Sequence, residues 1–196
     1  MLDNEKPVVF LDRDGTLNVE VGYIRNIDDL ILIPGAAQSI RRLNEAGVGA
    51  ILVTNQSGAA RKYYPESHIQ ELHKRLKELL AQSDAFLDDV YYCPHLPDGI
   101  DSQLTMICPC RKPSTGLIEQ AYSEHPDLSR KKSFMVGDKQ ADIGLALNCQ
   151  MRSILVKTGY GNTTLQALTE QNIQPDFVAG DITQAVDWIL TSLATD

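Results

Sequence analysis

The chain has 196 residues, of which 43% are hydrophobic, and a formal net charge of -8 at pH 7. This length suits one domain with an ordinary core, so we predict a single domain over residues 1–196. The acidic balance argues against nucleic-acid or anionic-membrane partners, which need clustered Lys and Arg. Without a basic and apolar leader or a run long enough to cross a bilayer, the sequence predicts a soluble, cytoplasmic protein.

The first predicted strand, residues 8–11, is followed by two carboxylates. Its continuous apolar run is typical of a buried strand in a parallel sheet. Gly15 and Thr16 end the run, so Asp12 and Asp14 would leave the carboxyl edge of the sheet, where open α/β folds bind ligands. Asp and Gly are also common in plain turns, but matching loops after later strands favour a catalytic site.

The next segment, residues 18–33, has no clear period and is predicted to be an exposed flap. It presents Tyr23 and Arg25. Loops of this kind often contact ligands, although an ordinary connector would look the same. Pro34 and Gly47 then mark the start and the end of a helix.

A second apolar strand, residues 50–53, leads into a loop of short hydrogen-bonding side chains. Hydroxyls and amides suit the oxygens of a phosphoryl group, and they suit turns and helix caps equally well. The side chains are Thr54, Asn55, Gln56 and Ser57. The helix that begins at Pro65 has an apolar stripe, and His68 and His73, which lie off it, are predicted to be surface residues.

Three cysteines and one histidine follow the third predicted strand, residues 90–92. Cys93 and His95 form one closely spaced pair, and Cys108 and Cys110 form another, as a closed tetrahedral Zn²⁺ site requires. Disulfides are the alternative, but a chain without a secretion signal disfavours them. We therefore predict a structural zinc ion, and we interpret Cys149 as a packed thiol.

Two cations, Arg111 and Lys112, come directly after the last of these cysteines. A surface Arg-Lys pair is usually only solvated. Beside a bound metal, the pair would be held in place, and its charge could be directed at a substrate phosphate without reorganisation. The next helix begins near Thr115.

The fourth predicted strand, residues 133–136, ends just before Asp138. With Asp12, Asp138 could supply oxygen ligands to Mg²⁺, a hard ion that keeps several waters. Asp142 could support the metal or cap the following helix, and both roles stay open. Further strands are predicted at 154–156 and 177–178, and a closing helix, capped by Asp181, at 182–193.

Four of these loops resemble the four motifs of the haloacid dehalogenase (HAD) superfamily, in order and suitably spaced. The loops are residues 12–16, 54–58, 111–113 and 137–142. The resemblance implies an α/β, three-layer, Rossmann-like HAD fold with a central, mainly parallel sheet and a zinc-binding loop. The chain is too short for a large cap domain as well, so the flap and the zinc loop would cover the site.

The resemblance also implies roles in a phosphatase mechanism, and residue chemistry agrees with them. Asp12 would attack phosphorus beside Mg²⁺ and form an aspartyl-phosphate. Asp14 would act as general acid and base if its neighbours keep it protonated. The Asp14 backbone carbonyl would join Asp12 and Asp138 on the metal, while Thr54 and Lys112 would hold the phosphoryl group.

The zinc set and the Gly-Tyr pair of the flap resemble a branch of the superfamily that acts on heptose bisphosphates or histidinol phosphate. We favour removal of the 7-phosphate of D-glycero-D-manno-heptose 1,7-bisphosphate, in nucleotide-heptose biosynthesis for lipopolysaccharide. The alternatives are histidinol phosphate, another small phosphosugar, and a non-catalytic phosphosugar-binding role. Val21 stands where the resemblance leads us to expect a polar residue, and it leaves the anomer preference open.

The predicted substrate contacts come from all four loops and the flap. They are Arg13, Glu20, Gly22, Tyr23, Asn55, Gln56, Ser57, Arg111 and Lys139. We expect a small phosphorylated sugar as the partner, no nucleic acid or membrane, and a monomer.

Overall fold

The computed structural model describes residues 5–195. Residues 1–4, on which the prediction that there is no leader sequence rests, lie outside this described part, as does residue 196. The strands are β1 Lys6–Leu11, β2 Gly49–Asn55, β3 Asp89–Cys93, β4 Leu128–Gly137, β5 Arg152–Val156 and β6 Phe177–Ala179. The helices are α1 Ala36–Glu45, α2 Ser67–Ala81, α3 Gly116–Glu124, α4 Gln140–Asn148, α5 Gly161–Glu170 and α6 Ile182–Thr195, with a short 3₁₀ turn at Ile27–Asp29. Within this described part, no helix combines the length and apolar character needed to cross a membrane.

The strands form one parallel sheet in the order β3-β2-β1-β4-β5-β6, which confirms the predicted α/β fold. Side chains of the central strand β1 alternate between two cores. Val9 and Leu11 pack with α1, α2 and α6, whereas Val8 and Phe10 pack with α3 and α4. The chain fills one side of β1 before it crosses to β4 on the other side. In such sheets ligands bind at this reversal, beyond the carboxyl ends of the strands.

Helix α1 begins and ends where the glycines and proline predict. Gly35, at φ 84°, precedes its first residue, and Gly47, at φ 71°, follows its end. Both positions need the left-handed backbone that glycine adopts without strain. Ile40 and Leu43 are fully buried, so the helix lies with its apolar face on the sheet.

The predicted exposure of two histidines is wrong. His68 and His73 are only 9% and 6% exposed. His68 Nε2 donates to the Ile24 carbonyl at 3.0 Å, which ties α2 to the flap, and the His73 ring packs against that of Tyr92. The periodicity of one helix identifies the face that meets the sheet, but it cannot identify side chains that a neighbouring loop covers.

Two elements differ from the sequence expectation. Strand β4 begins at Leu128, and its first half contains exposed Arg130 and Lys131, which interrupt the apolar pattern. Helix α5 was not predicted, because Thr163 and Thr164 near its start are weak helix formers.

Candidate active site

Loops at the carboxyl ends of β1, β2 and β4 meet around a cavity of about 320 Å³. Most of the predicted site residues line it. They are Asp14, Glu20, Gly22, Tyr23, Asn55, Gln56, Ser57, Arg111, Lys112 and Lys139. Ala141 and Tyr160 also line the cavity, and neither was predicted. The fold therefore brings segments that are distant in sequence to one site.

Three buried carboxylates lie together where β1 and β4 end and α4 begins. Asp12, Asp138 and Asp142 are 4%, 0% and 1% exposed, and each has an oxygen within 4.8 Å of the others. Burial raises the pKa of Asp138 to about 7, with Asp12 adding to the rise and Lys139 opposing it. Asp138 Oδ1 is buried and has no hydrogen-bond partner within residues 5–195. Mg²⁺ prefers oxygen ligands of this kind, so these residues fit a magnesium site.

Lys112 joins two of these carboxylates. Its Nζ atom lies 2.8 Å from Asp12 Oδ1 and 2.6 Å from Asp142 Oδ1, and it donates to the Val53 carbonyl at 2.8 Å. Burial alone would lower the pKa of Lys112, but Asp12 and Asp142 outweigh it and raise the pKa. The ammonium is therefore charged, and it fixes one oxygen of Asp12 beside a residue that lines the cavity.

Asp142 caps a helix and also belongs to the carboxylate cluster. Its Oδ2 atom accepts the Lys139 N–H at 3.0 Å at the start of α4, while its Oδ1 atom pairs with Lys112. A side chain at Gly137 would come within 2.2 Å of Asp142 Oδ2, so only glycine fits there. The capping role, which the sequence left open, is confirmed.

Asp14 is held by three donors. Arg13 Nη2 lies 2.9 Å from Asp14 Oδ2, Gln56 Nε2 donates to the same oxygen at 2.8 Å, and Asn18 Nδ2 donates to Oδ1 at 3.0 Å. Burial raises the pKa of Asp14, but the Arg13 charge and the Asn18 and Gln56 hydrogen bonds outweigh it and lower the pKa. The neighbours thus keep Asp14 ionised in this state, contrary to the condition stated for its role as an acid.

Arg13 is held by two neighbouring side chains. Its side chain is among the fully buried ones, at 1% exposed, and Nη2 also donates to Gln56 Oε1 at 2.8 Å. The guanidinium lies against Asp14 and is not part of the cavity wall. The predicted direct contact of Arg13 with substrate stays a prediction, and in this structure the guanidinium is engaged in orienting Asp14.

The second and third loops are joined through one amide side chain. Asn55 Oδ1 accepts the Lys112 N–H at 3.0 Å, and Asn55 Nδ2 donates to the Lys112 carbonyl at 3.0 Å. Thr54 is 1% exposed, and its hydroxyl accepts from Gln56 Nε2 at 2.9 Å. These contacts hold the loop after β2 against the segment that carries the lysine.

The flap reaches the opposite wall of the cavity through an ion pair. Glu20 Oε2 lies 2.8 Å from Lys139 Nζ, and Glu20 Oε1 accepts the Gly22 N–H at 2.6 Å. Tyr23 is 37% exposed, and its ring meets the ring of Tyr63 edge-on at 4.7 Å. The predicted exposed flap is confirmed as one wall of the cavity.

The predicted zinc ligands lie together beyond the end of β3. Cys93, His95, Cys108 and Cys110 each offer an atom within 4.8 Å of the others, so they fit a zinc site. The hydrogen bond between the Cys93 and Cys110 thiols lowers the pKa of Cys93 and raises the pKa of Cys110, as expected for two thiols that share a proton. Arg111 Nη1 donates to the His95 carbonyl at 3.0 Å, so the cluster and the cation are directly connected.

The loop between β5 and α5 contains a site residue that was not predicted. Tyr160 is 49% exposed, lines the cavity and donates its N–H to Asp138 Oδ2 at 2.7 Å. Lys139 Nζ lies 5.2 Å from the centre of the Tyr160 ring. A Gly-Tyr-Gly sequence at residues 159–161, separated from the end of an apolar strand by two residues, is the signal that could have revealed it.

Comparison with known proteins agrees with this geometry. The HAD-hydrolase-like family model matches residues 109–185. The chain is 50% identical, over 96% of its length and 98% of the relative, to a D-glycero-D-manno-heptose-1,7-bisphosphate 7-phosphatase of Thermosynechococcus vestitus. It is 39% identical, over 96% of its length and 92% of the relative, to a D-glycero-beta-D-manno-heptose-1,7-bisphosphate 7-phosphatase of Yersinia pestis.

A solved structure is similar over almost the whole fold. The D,D-heptose 1,7-bisphosphate phosphatase from B. bronchiseptica, complexed with magnesium and phosphate, superposes with a TM-score of 0.82 at 30% identity. The match covers 95% of this chain and 99% of that structure. The chain therefore belongs to the HAD-like hydrolases, in the family of the heptose-1,7-bisphosphate 7-phosphatases.

Proposed function

We propose that this phosphatase removes the 7-phosphate of D-glycero-D-manno-heptose 1,7-bisphosphate through a phosphoaspartate at position 12, in nucleotide-heptose biosynthesis. The observation that carries the proposal is the pair of carboxylates after β1, which are held in different ways. Asp12 pairs with Lys112 beside the carboxylate cluster, whereas Asp14 is held by Arg13, Asn18 and Gln56. This difference supports assigning attack on phosphorus to Asp12 and proton transfer to Asp14.

In the first half of the reaction, an Asp12 oxygen bonds to phosphorus as the bond from phosphorus to the sugar oxygen breaks. Lys112 neutralises charge beside Asp12, and Thr54 supports the phosphoryl group. An incoming phosphate adds negative charge next to Asp14 and so raises its pKa from the lowered value of the free site. The protonated Asp14 can then donate its proton to the departing alkoxide.

In the second half, a water attacks the phosphorus of the phosphoaspartate. Asp14, now a carboxylate, accepts the proton of that water, and inorganic phosphate and free Asp12 result. Bound Mg²⁺ would neutralise the phosphoryl oxygens that Asp12 must approach. The residues that would hold it are Asp12, Asp138 and the backbone carbonyl of Asp14, with Asp142 in the same cluster.

The four residues of the Cys-His cluster would hold a structural zinc ion. Their role is to fix Arg111, which lies on the cavity wall and reaches back to the His95 carbonyl. A cation that is already fixed loses little side-chain conformational entropy when it binds the substrate. We further propose that the protein acts as a single-domain, cytoplasmic monomer with only this small substrate as its partner.

The test is a comparison of initial rates of phosphate release with Mg²⁺ present. The substrates are heptose 1,7-bisphosphate, histidinol phosphate and fructose 1,6-bisphosphate, and ³¹P NMR identifies which phosphate of the heptose is lost. We expect the heptose bisphosphate to be hydrolysed fastest, with the 1-phosphate retained. Faster hydrolysis of histidinol phosphate would favour the alternative substrate, and no release from any of them would favour a binding module.

A further inference from the structure

The loop between β5 and α5 contacts two of the catalytic loops. We call residues 158–160 the clamp loop. Thr158 Oγ1 donates to the Gly15 carbonyl at 2.5 Å, directly after Asp14, and the Tyr160 N–H donates to Asp138 Oδ2 at 2.7 Å. One short segment thus binds the loop after β1 and the loop after β4, which meet at the reversal of the sheet.

The middle residue of the clamp loop leaves no space for a side chain. Gly159 adopts φ 56°, and a Cβ there would lie 2.2 Å from Asp138 Oδ2 and 2.7 Å from Gly15 Cα. Its backbone therefore packs directly on the carboxylate and on the neighbouring loop. Such a close approach is possible only for glycine.

The two oxygens of Asp138 are in different surroundings. Oδ2 accepts the Tyr160 N–H, whereas Oδ1 is buried with no hydrogen bond from the described residues, and Lys139 Nζ lies 3.8 Å from it. An aspartate with one oxygen held by a backbone N–H cannot rotate freely. Its other oxygen is then presented in one direction, as a metal ligand requires.

We infer that the clamp loop is a positioning element for the metal site. The Tyr160 N–H holds one oxygen of Asp138 so that the other faces the cation, and Thr158 fixes the backbone next to Asp14, the proposed carbonyl ligand. This inference rests on the magnesium site of the proposed function. It assigns the exposed Tyr160 ring no part in metal binding, so the backbone and the ring can be tested separately.

The decisive comparison is Tyr160→Pro against Tyr160→Ala. Both variants lose the ring, but only proline loses the N–H, and the φ of -86° at this position lies close to the range that proline adopts. The readout is the dissociation constant of Mn²⁺, measured by electron paramagnetic resonance without substrate. We expect Tyr160→Pro to bind Mn²⁺ roughly 10- to 100-fold more weakly than Tyr160→Ala, the usual cost of losing a residue that orients a metal ligand.

A second pair decides the question if Tyr160→Pro does not fold. Thr158→Val keeps the shape of threonine and loses the hydroxyl, whereas Thr158→Ser keeps the hydroxyl. We expect weaker Mn²⁺ binding in the valine variant only, while the melting temperature of the metal-free protein falls by no more than the few degrees that one lost hydrogen bond costs. Equal dissociation constants within either folded pair would overturn the inference.

Failure of this inference differs from failure of the proposed function. If wild-type protein binds Mn²⁺ and releases phosphate while the matched variants bind the ion equally well, only the positioning role is wrong. If wild-type protein binds no Mn²⁺, both the metal site and the positioning role are wrong. Asp138→Asn, which changes the ligand itself, gives the reference for lost binding.

Discussion

The floor and the rim of the cavity are built in opposite ways. We define the floor as the buried charged residues at and below the cavity, Asp12, Asp14, Lys112, Asp138 and Asp142, which are at most 8% exposed and are held by ion pairs and hydrogen bonds to neighbouring groups. The rim comprises residues 20–23, Arg111 and Tyr160, and its aromatic rings are 37% and 49% exposed. Groups that must stabilise a developing charge are fixed before the substrate arrives. Groups that select the substrate lie on loops, which can change without disturbing the chemistry.

The most severe test of this division is Asp12→Asn. The amide has nearly the same shape but cannot form the phosphoaspartate, so we expect the rate to fall on the order of 10⁴-fold or more. Circular dichroism and thermal melting should show a folded protein. Near-normal phosphate release by this variant would contradict the assignment of the nucleophile.

Asp14→Asn should have the next largest effect, and its size should depend on the leaving group. An alkoxide needs a proton, so we expect a loss on the order of 10² to 10⁴ with sugar phosphates. The loss should be much smaller with p-nitrophenyl phosphate, whose leaving group needs little help from an acid. Equal losses on the two substrates would show that Asp14 does not act as the acid.

Cys108→Ser tests whether the rim affects binding rather than chemistry. Loss of zinc should leave Arg111 without a fixed position. The charge-assisted hydrogen bond proposed between Arg111 and the substrate contributes about 1.5–3 kcal/mol, so its loss should raise KM about 10- to 100-fold. The expected change in kcat is much smaller. The readouts are metal analysis and steady-state kinetics.

The matched control for the zinc loop is Cys149→Ser. Cys149 packs against the core formed with α3 and α4, outside the metal-binding cluster. We expect this variant to keep its zinc and its KM. Freshly purified wild-type protein without zinc would end the proposed role of the cluster.

The smallest expected effect concerns the pH dependence of metal binding at the floor. The pKa of Asp138 is raised to about 7, so its carboxyl holds a proton below that pH, and Mg²⁺ must displace this proton. The apparent dissociation constant of Mg²⁺ should therefore rise about tenfold for each pH unit below about 7, and it should level off above it. Calorimetric titrations with Mg²⁺ between about pH 5.5 and about pH 8.5 measure this dissociation constant at each pH. A flat profile would contradict the burial argument.

Sequence reasoning succeeded best at the floor. Parallel crossovers place the carboxyl ends of the strands at one edge of the sheet, so Asp12, Lys112 and Asp138 could be grouped from the sequence alone. It could not show the direction in which a side chain points. Arg13 directly follows a candidate nucleophile in sequence, yet its guanidinium is buried against Asp14 and does not line the cavity.

The other failures share a physical origin. His68 is buried by a loop that no helical pattern describes, and Tyr160 approaches Asp138 through its backbone N–H. A backbone donor is present in almost every residue, so residue type carries no information about it. Only the glycines around Tyr160 indicate that the main chain comes close to another segment.

The two hydrogen bonds between the Asn55 side chain and the main chain of Lys112 limit which residue can occupy position 55. They require a donor and an acceptor on the same side chain, and an amide has both, whereas an ionised carboxylate has only acceptors. Asn55→Asp would therefore break one of the two bonds and place a negative charge against the Lys112 carbonyl. Although Asn55 lines the cavity, the natural choice at this position is dictated by a peptide unit 57 residues away along the chain.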